Sequence, residues 1–282
     1  MTTSQENSRL RIRRIAKQLI PPILLEAAER VLAPSRATLS TWEYVPEGWH
    51  RQGEIRGWND LSVVDVIRRD WHEWVSKLNE KKPLSDKLSE HNALMCYGYV
   101  LTLASRGRAL VSVLDWGGGA GHYYLMSKAL LPTVDIDYYV FDVPCVCKLG
   151  RDLVPDIHFY ADSALIPRKR YTLVLASNSL QYFEDWRSVV CKLSSMTERL
   201  LYITGLPVVN DTSSFVVLQR PYGKGYGTEF IGWFLNRKEF LSHVEDTGME
   251  LQREFIIGYR PTVHGAPEQG EYRGFLFKPR RA

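Results

Sequence analysis

The sequence predicts an α/β fold in which a mostly parallel sheet carries helices on both faces. From residue 109 onward, short apolar runs alternate with helical patterns, as in a parallel sheet covered on both sides. The chain has 282 residues, of which 45% are hydrophobic and 24% charged. This is enough for one large domain, or for one domain with an appendage.

The elements of the sheet follow one another in a regular order. Strands are predicted at 110–115, 136–142, 157–161, 172–177 and 200–204. Helical patterns separate them at 122–131, 145–152 and 184–196. An insertion rich in glycine and aromatic residues follows at about 206–235. A helix then ends at Gly248, and the segments LQREFIIGY and YRGFLFKP predict two late strands that finish the sheet in the antiparallel sense.

Residues 1–35 form a basic segment that runs into an amphipathic helical pattern. Its stretch 8–32 is suited either to an anionic membrane surface or to packing on the protein's own body. The apolar part is too short and interrupted to span a bilayer, and it lacks the core of a signal peptide. Four cysteines without metal-ligand spacing suit a reducing compartment, so a cytoplasmic location is expected.

Residues 36–108 predict a helical cap rich in tryptophan. Five of the eight tryptophans fall between residues 42 and 74, and helical periodicity appears at 62–77 and 88–105. These rings are suited either to stacking on sugar C–H surfaces or to packing an added helical layer. The candidates for the acceptor face include Trp49 and, from the later insertion, Trp233. The mixed charge elsewhere shows no basic stripe, so no nucleic-acid partner is expected.

The segment DWGGGAGH, residues 115–122, is a glycine-rich turn between the first predicted strand and its helix. Glycines in such a turn let a ligand approach the backbone closely. A phosphate loop would end in Gly-Lys-Ser/Thr, and the sequence has Gly121 followed by His122. A dinucleotide fingerprint that starts at Gly117 and Gly119 would need its third glycine where His122 stands. Both phosphate-binding interpretations therefore fail.

Acidic residues at three strand ends indicate a different ligand. Asp115 precedes the turn, where a carboxylate repels a pyrophosphate and attracts an ammonium group. Asp142 ends the second strand, where an acid accepts hydrogen bonds from ribose hydroxyls. Asp162 and Ser163 follow the third strand, where an acceptor reads an adenine amino group. Together with Gly117, Gly119 and Gly121, these residues predict a site for S-adenosylmethionine (SAM).

Three segments, VLDWGGGAGHYY, YVFDVP and YTLVLASNSLQYFED, resemble the motifs of SAM-dependent methyltransferases with a Rossmann-like sheet. With VPEGW…GWND and LQRP…WF added, the chain resembles a bacterial methyltransferase family that accompanies surface-polysaccharide biosynthesis. The resemblance implies a seven-stranded, mostly parallel sheet over 109–282. It also implies methyl transfer from SAM to a small-molecule or glycan acceptor, with a sugar hydroxyl as the expected target.

Methyl transfer to a hydroxyl is helped by a general base, and histidine is the first residue type to consider. The candidates are His122, which alternatively only begins a helix, and His50. Asn178 and Gln181 follow the fourth strand, where related enzymes place groups near the reactive methyl, and Asn178 is expected to contact the cofactor. Gln181 and Tyr182 are candidates for acceptor binding, and Tyr182 is alternatively a core residue. Gln181 stands where some relatives carry histidine, which departs from their pattern.

Two alternatives stay open beside the sugar methyltransferase. The first is a SAM-fold protein without catalytic activity that serves as a binding partner, since no obvious base is present. The second is a methyltransferase for a small molecule other than a sugar. No group of His, Cys, Asp and Glu has metal-ligand spacing, so a metal-independent reaction is expected. The pattern leaves the oligomeric state open.

Overall fold

The structure is a computed structural model that describes residues 41–50 and 55–280. These residues belong to one compact unit and contain ten strands and six helices. The ten strands are β1 Trp42–Val45, β2 Leu110–Trp116, β3 Asp135–Phe141, β4 His158–Tyr160, β5 Tyr171–Ser177, β6 Thr197–Val209, β7 Phe215–Gln219, β8 Phe230–Asn236, β9 Met249–Ile256 and β10 Glu271–Pro279. The six helices are α1 Leu61–Asn79, α2 Leu88–Ser105, α3 His122–Leu130, α4 Pro144–Leu153, α5 Trp186–Ser195 and α6 Arg237–Asp246.

The central part of the sheet is parallel and has the strand order β4-β3-β2-β5-β6. The chain leaves β2 toward one side, forms β3 and β4, and returns on the other side as β5. Strand β10 then pairs antiparallel with β6, and β9 pairs antiparallel with β10. The alternation of strands and helices and the antiparallel finish predicted from the sequence are confirmed for this part.

The prediction of a mostly parallel, seven-stranded sheet needs correction, because the sheet is mixed and has ten strands. Three further strands, β1, β7 and β8, form an antiparallel annex. The annex joins the rest of the sheet through the end of β6, where Val208 and Val209 pair with Leu235 and Asn236. The insertion near 206–235 supplies two of these strands, and the segment interpreted as part of a helical cap supplies β1.

Helices cover both faces of the parallel strands. On one face Trp186 of α5 and Phe240 of α6 pack against Phe275 and other buried strand residues. On the other face Tyr97 of α2 belongs to a second buried cluster that includes Val113 of β2. The helices predicted at 62–77 and 88–105 are confirmed as α1 and α2, and both contribute side chains to this second cluster.

A buried arginine holds the annex together. Arg220, whose side chain is 6% exposed, forms ion pairs with Glu43 of β1 at 2.5 Å and with Glu229 beside β8 at 2.9 Å. Its backbone N–H also donates to the carbonyl of Thr41 at 2.8 Å. Removing one partner of such a buried pair is costly, because the other charge would be left without compensation.

The basic segment 1–35, including the stretch 8–32 considered for membrane contact, lies outside the described residues. Across residues 41–50 and 55–280, none of the helices combines the length and the apolar character needed to cross a membrane.

Gly150 of α4 and Gly98 of α2 give a test of the packing between helices and sheet. A Cβ atom at Gly150 would overlap the ring of Phe159 on β4, whereas one at Gly98 would lie 3.5 Å from Leu130, an ordinary contact. We expect Gly150→Ala to lower the free energy of unfolding by about 1–3 kcal/mol, because overlap outweighs the gain of about 1 kcal/mol in helix propensity.

The matched variant Gly98→Ala should raise the free energy of unfolding by up to about 1 kcal/mol. Urea unfolding followed by circular dichroism measures both values. A stabilised Gly150→Ala protein would show that α4 does not approach β4 as closely as described.

Candidate active site

The strand register brings the ends of β2, β3 and β5 to one edge of the sheet. Asp115 of β2 lies beside Val140 of β3 and Leu175 of β5. The glycine turn follows β2 at this edge, and Asp142 and Asn178 follow β3 and β5. In open α/β sheets, the crevice at such a point, where the chain reverses its direction of progress across the sheet, is the usual ligand site.

Two cavities flank the glycine turn at this edge. The Asp142 cavity has a volume of about 290 Å³ and is lined by Asp142, Trp58, Tyr182 and Phe183, among others. The Glu90 cavity has a volume of about 320 Å³ and is lined by Glu90 and by other residues of α1, α2 and α3. Each volume is near the lower end of the range of about 300–1,000 Å³ for small-molecule sites. The residues that line both cavities are Gly117, Gly119 and Asn178.

The Asp142 carboxylate fixes the shape of the turn. One oxygen accepts the N–H of Gly119 at 2.8 Å, and the other accepts the N–H of Val143 at 2.7 Å. Burial raises the pKa of Asp142, and the two backbone hydrogen bonds oppose this rise without cancelling it. The carboxylate keeps unused lone pairs, since each oxygen can accept a second hydrogen bond.

Two glycines of the turn are needed for different reasons. Both adopt positive φ angles, +75° at Gly117 and +61° at Gly119. A Cβ at Gly117 would overlap the side chain of Ser179, whose hydroxyl donates to the carbonyl of Trp116 at 2.5 Å. A Cβ at Gly119 would meet no atom within 4 Å and would occupy open space. Gly119 therefore leaves room for a ligand against the backbone.

Asn178 stands where the two cavities meet and has a strained backbone. Its φ angle is +51°, which non-glycine residues adopt rarely and asparagine tolerates better than most. Its N–H donates to the carbonyl of Thr204 at 2.8 Å. A Cβ at Gly205 would overlap the Asn178 amide, so that glycine makes room for it. Strained residues of this kind cluster at ligand sites.

Asp115 is placed differently from its predicted role. Its side chain is fully buried, lines neither cavity, and lies under the turn, where a Cβ at Gly118 would be 2.6 Å from its carboxyl group. One oxygen accepts the hydroxyl of Tyr138 at 2.8 Å, and the other has no hydrogen-bond partner among the described residues. Burial above all, opposed by the Tyr138 hydrogen bond and assisted by Asp142, raises the pKa of Asp115 to about 7.

Asp162 and Ser163, the two predicted cofactor residues after β4, also lie off the cavities. Ala161 lines the Asp142 cavity, but neither of the next two residues does. Asp162 is exposed, and its carboxylate accepts the N–H of Ala164 at 2.8 Å. The Ser163 hydroxyl accepts from Lys192 at 2.7 Å and faces a separate groove. Gly121 is the N-cap residue of α3, has a φ of +94° and lies against Ile157, and it lines neither cavity.

The two candidate bases occupy different surroundings. His122 lines the Glu90 cavity, and its ring makes edge contacts with Trp71 and Trp74 at 4.7 and 4.8 Å between centroids. Burial lowers the pKa of His122 to about 4, so the ring is neutral and weakly basic at physiological pH. His50 is exposed, ends a short 3₁₀ helix and lines neither cavity.

The predicted acceptor residues are only partly brought together. Tyr182 lines the Asp142 cavity, and its hydroxyl donates to Gln219 at 3.0 Å. Gln181 is buried but lines neither cavity, and its amide has no hydrogen-bond partner among the described residues. Trp49 and Trp233 stack on each other at 5.7 Å between centroids and line neither cavity.

Sequence reasoning missed several cavity residues. Glu90 stands in the first turn of α2, where an acid is ordinary because it favours the helix dipole, so the sequence has no signal for it. Trp58, expected only as part of a general cap, stacks on Phe230 at 4.2 Å between centroids and forms a wall of the Asp142 cavity. Among residues 41–50 and 55–280, no group of three or more His, Cys, Asp or Glu side chains is arranged to hold a metal ion.

No protein-family model and no curated protein matches the chain. Among similar solved structures is the CcbJ methyltransferase from Streptomyces caelestis, with 12% identity over 66% of this chain and 90% of that one, at a TM-score of 0.46. A SAM-dependent methyltransferase from Clostridium acetobutylicum is 9% identical over 75% of this chain and 98% of its own, with a TM-score of 0.47. SAM-bound CalS10, an amino pentose methyltransferase from Micromonospora echinaspora, is 14% identical over 67% of this chain and 91% of its own, with a TM-score of 0.44.

The raised pKa of Asp115 predicts a stability that depends on pH. The folded protein disfavours the ionised carboxylate, so wild type loses stability as the pH rises from 3.8, the ordinary value, through about 7. Asp115→Asn cannot ionise. The free energy of unfolding of Asp115→Asn minus that of wild type should therefore be about 2–3 kcal/mol larger at about pH 8 than at about pH 5.

Urea unfolding of both proteins at the two pH values measures this gain. The contributions of the other titrating groups cancel in the difference between the two proteins, because both proteins contain the same groups. An unchanged difference between the two proteins would mean that Asp115 does not ionise in this pH range.

Proposed function

We propose that this chain is a SAM-dependent methyltransferase. The observation that carries the proposal is the pair of cavities that meet at Gly119 and Asn178, of which one is lined by Asp142 and the other by Glu90. In the part of the chain that the structure describes, neither cavity is lined by a lysine or an arginine. The site therefore suits a ligand that is not rich in phosphate.

Electrostatics separate the candidate ligands. A dinucleotide or a nucleoside triphosphate would bring two or more negative phosphates beside the carboxylates of Asp142 and Glu90, and Lys87, which pairs with Glu90 at 2.9 Å, lines neither cavity. Like charges brought together in a partly buried site are strongly disfavoured. SAM instead has a sulfonium and an ammonium group, so its positive charges complement the two carboxylates.

The residues at the turn fit this cofactor. The open space at Gly119 allows close approach to the backbone, and the free lone pairs of Asp142 are suited to ribose hydroxyls. The apolar walls at Val143 and Phe183 suit a planar base. Bound SAM supplies an activated methyl group on a sulfonium sulfur. The protein then needs to position an acceptor and exclude water more than it needs to activate a bond.

The residues where the two cavities meet are placed to position the acceptor. Asn178, whose backbone is strained, lines both cavities, and Trp58 and Tyr182 line the Asp142 cavity. We propose a small-molecule or glycan acceptor that reacts through a hydroxyl. Because the pKa of His122 is about 4, we do not assign this residue the role of base.

The weak basicity of His122 favours one alternative, a SAM-fold protein that binds the cofactor without turnover. This alternative and the methyltransferase share every binding property and differ only in catalysis. Transfer of radiolabelled methyl from SAM to a cell extract or a glycan pool would exclude the alternative. Binding without turnover across broad acceptor screens would support it.

Calorimetric titration with SAM and with its demethylated product tests cofactor binding. Asp142→Asn should weaken both by about 10- to 100-fold, because it removes a charged acceptor and presents an amide N–H₂ to one of the N–H groups of Gly119 and Val143. The matched variant Asp137→Asn changes an acid at the other end of β3 that pairs with Lys169. It should bind both compounds as wild type does.

No heat of binding to wild type at about 1 mM SAM would contradict the proposal. So would a thermal shift produced by NAD but not by SAM.

A further inference from the structure

The Glu90 cavity contains a single ionised side chain among the described residues that line it. His122 is neutral at physiological pH because burial lowers its pKa to about 4, and the remaining lining groups are apolar, hydroxyl, amide or glycine. Lys87 pairs with Glu90 but does not line the cavity, so the lining itself presents one carboxylate and no cation, which favours a positively charged group.

Asp115, the acid that the sequence favours for an ammonium group, does not reach this cavity. It lies fully buried under Gly118, and its raised pKa leaves it only partly ionised near neutral pH. An ammonium group at Asp115 would have to pass through the turn itself. The acid expected to bind the ligand is thus a support for the turn.

Glu90 is charged and still has capacity to accept hydrogen bonds. One carboxylate oxygen accepts the Ser85 hydroxyl at 2.6 Å, and the other accepts the Lys87 ammonium at 2.9 Å. Burial acts to raise the pKa of Glu90, but these two hydrogen bonds outweigh it, and the pKa lies below its ordinary value. A carboxylate accepts about four hydrogen bonds, so both oxygens have room for a ligand donor.

We propose that Glu90, and not Asp115, receives the ammonium group at the amino-acid end of SAM, which makes the Glu90 cavity a site for an ammonium-bearing chain. This inference rests on the proposed function. It follows from the lining of the cavity: Glu90 lies across from Gly117 and Gly119, the same glycines that border the Asp142 cavity. A ligand whose nucleoside occupies the Asp142 cavity therefore reaches Glu90 with its tail.

The start of α3 supports the same orientation. His122 and Tyr123, the first two residues of α3, line the Glu90 cavity, and no side chain caps this helix. The positive end of a helix dipole favours a carboxylate. The cavity thus presents a carboxylate on α2 and a helix N-terminus on α3, which complement the two charges of an amino acid.

Two probes that differ only at the tail test this assignment. S-adenosylhomocysteine carries the amino-acid end, whereas 5′-methylthioadenosine has the same nucleoside and sulfur without it. Glu90→Gln should weaken S-adenosylhomocysteine about 5- to 20-fold, a modest loss because the Glu90 side chain is 51% exposed. The same variant should bind 5′-methylthioadenosine within about twofold of wild type.

A matched variant separates binding from local structure. Lys87→Gln removes the cationic partner of Glu90 but keeps the carboxylate and its hydrogen bond from Ser85, so S-adenosylhomocysteine should bind it as tightly as wild type or more tightly. If Glu90→Gln weakens both probes equally, Glu90 has only a structural role, and the inference is overturned. If it weakens neither, another group receives the ammonium. If wild type binds neither probe, the proposed function fails together with the inference.

Discussion

The Asp142 carboxylate is the contact on which the site depends. It ends one strand and holds the N–H groups of Gly119 and Val143, so the turn after β2 and the start of α4 are fixed by one side chain. Without it, two backbone donors at a buried edge would lack partners, which costs about 1–3 kcal/mol each. With it, the turn keeps the open face of Gly119, and the two cavities meet there.

Much of the fold follows from local patterns in the sequence. The apolar runs and helical spacings between residues 110 and 204 correspond to β2–β6 and α3–α5, because each element is defined by its own periodicity. The annex is different. Strand β1 has only four residues and pairs with β7, which is distant in the chain, so no local pattern distinguishes it from a loop. The length of β6 also depends on distant partners.

In the candidate site, too, the features set by local sequence were predictable, and those set by contacts between distant elements were not. The glycine turn, Asp142 and Asn178 were predicted because strand ends in a parallel sheet meet at one edge. The sequence could not show that Asp115 lies beneath the turn while Glu90 lines a cavity, since both are acids near the ends of regular elements. His122 is similar: its position at the start of α3 was predicted, but its contacts with Trp71 and Trp74 join elements distant in sequence.

The wall of the Asp142 cavity is built from two independent sources. The turn, Asp142 and Asn178 belong to the parallel strands, whereas Trp58 stacks on Phe230 of the annex. The annex meets the rest of the sheet mainly at the end of β6 and has its own ion pairs at Arg220. A change in the annex can therefore reshape this covering wall while the glycine turn, Asp142 and Asn178 stay unchanged.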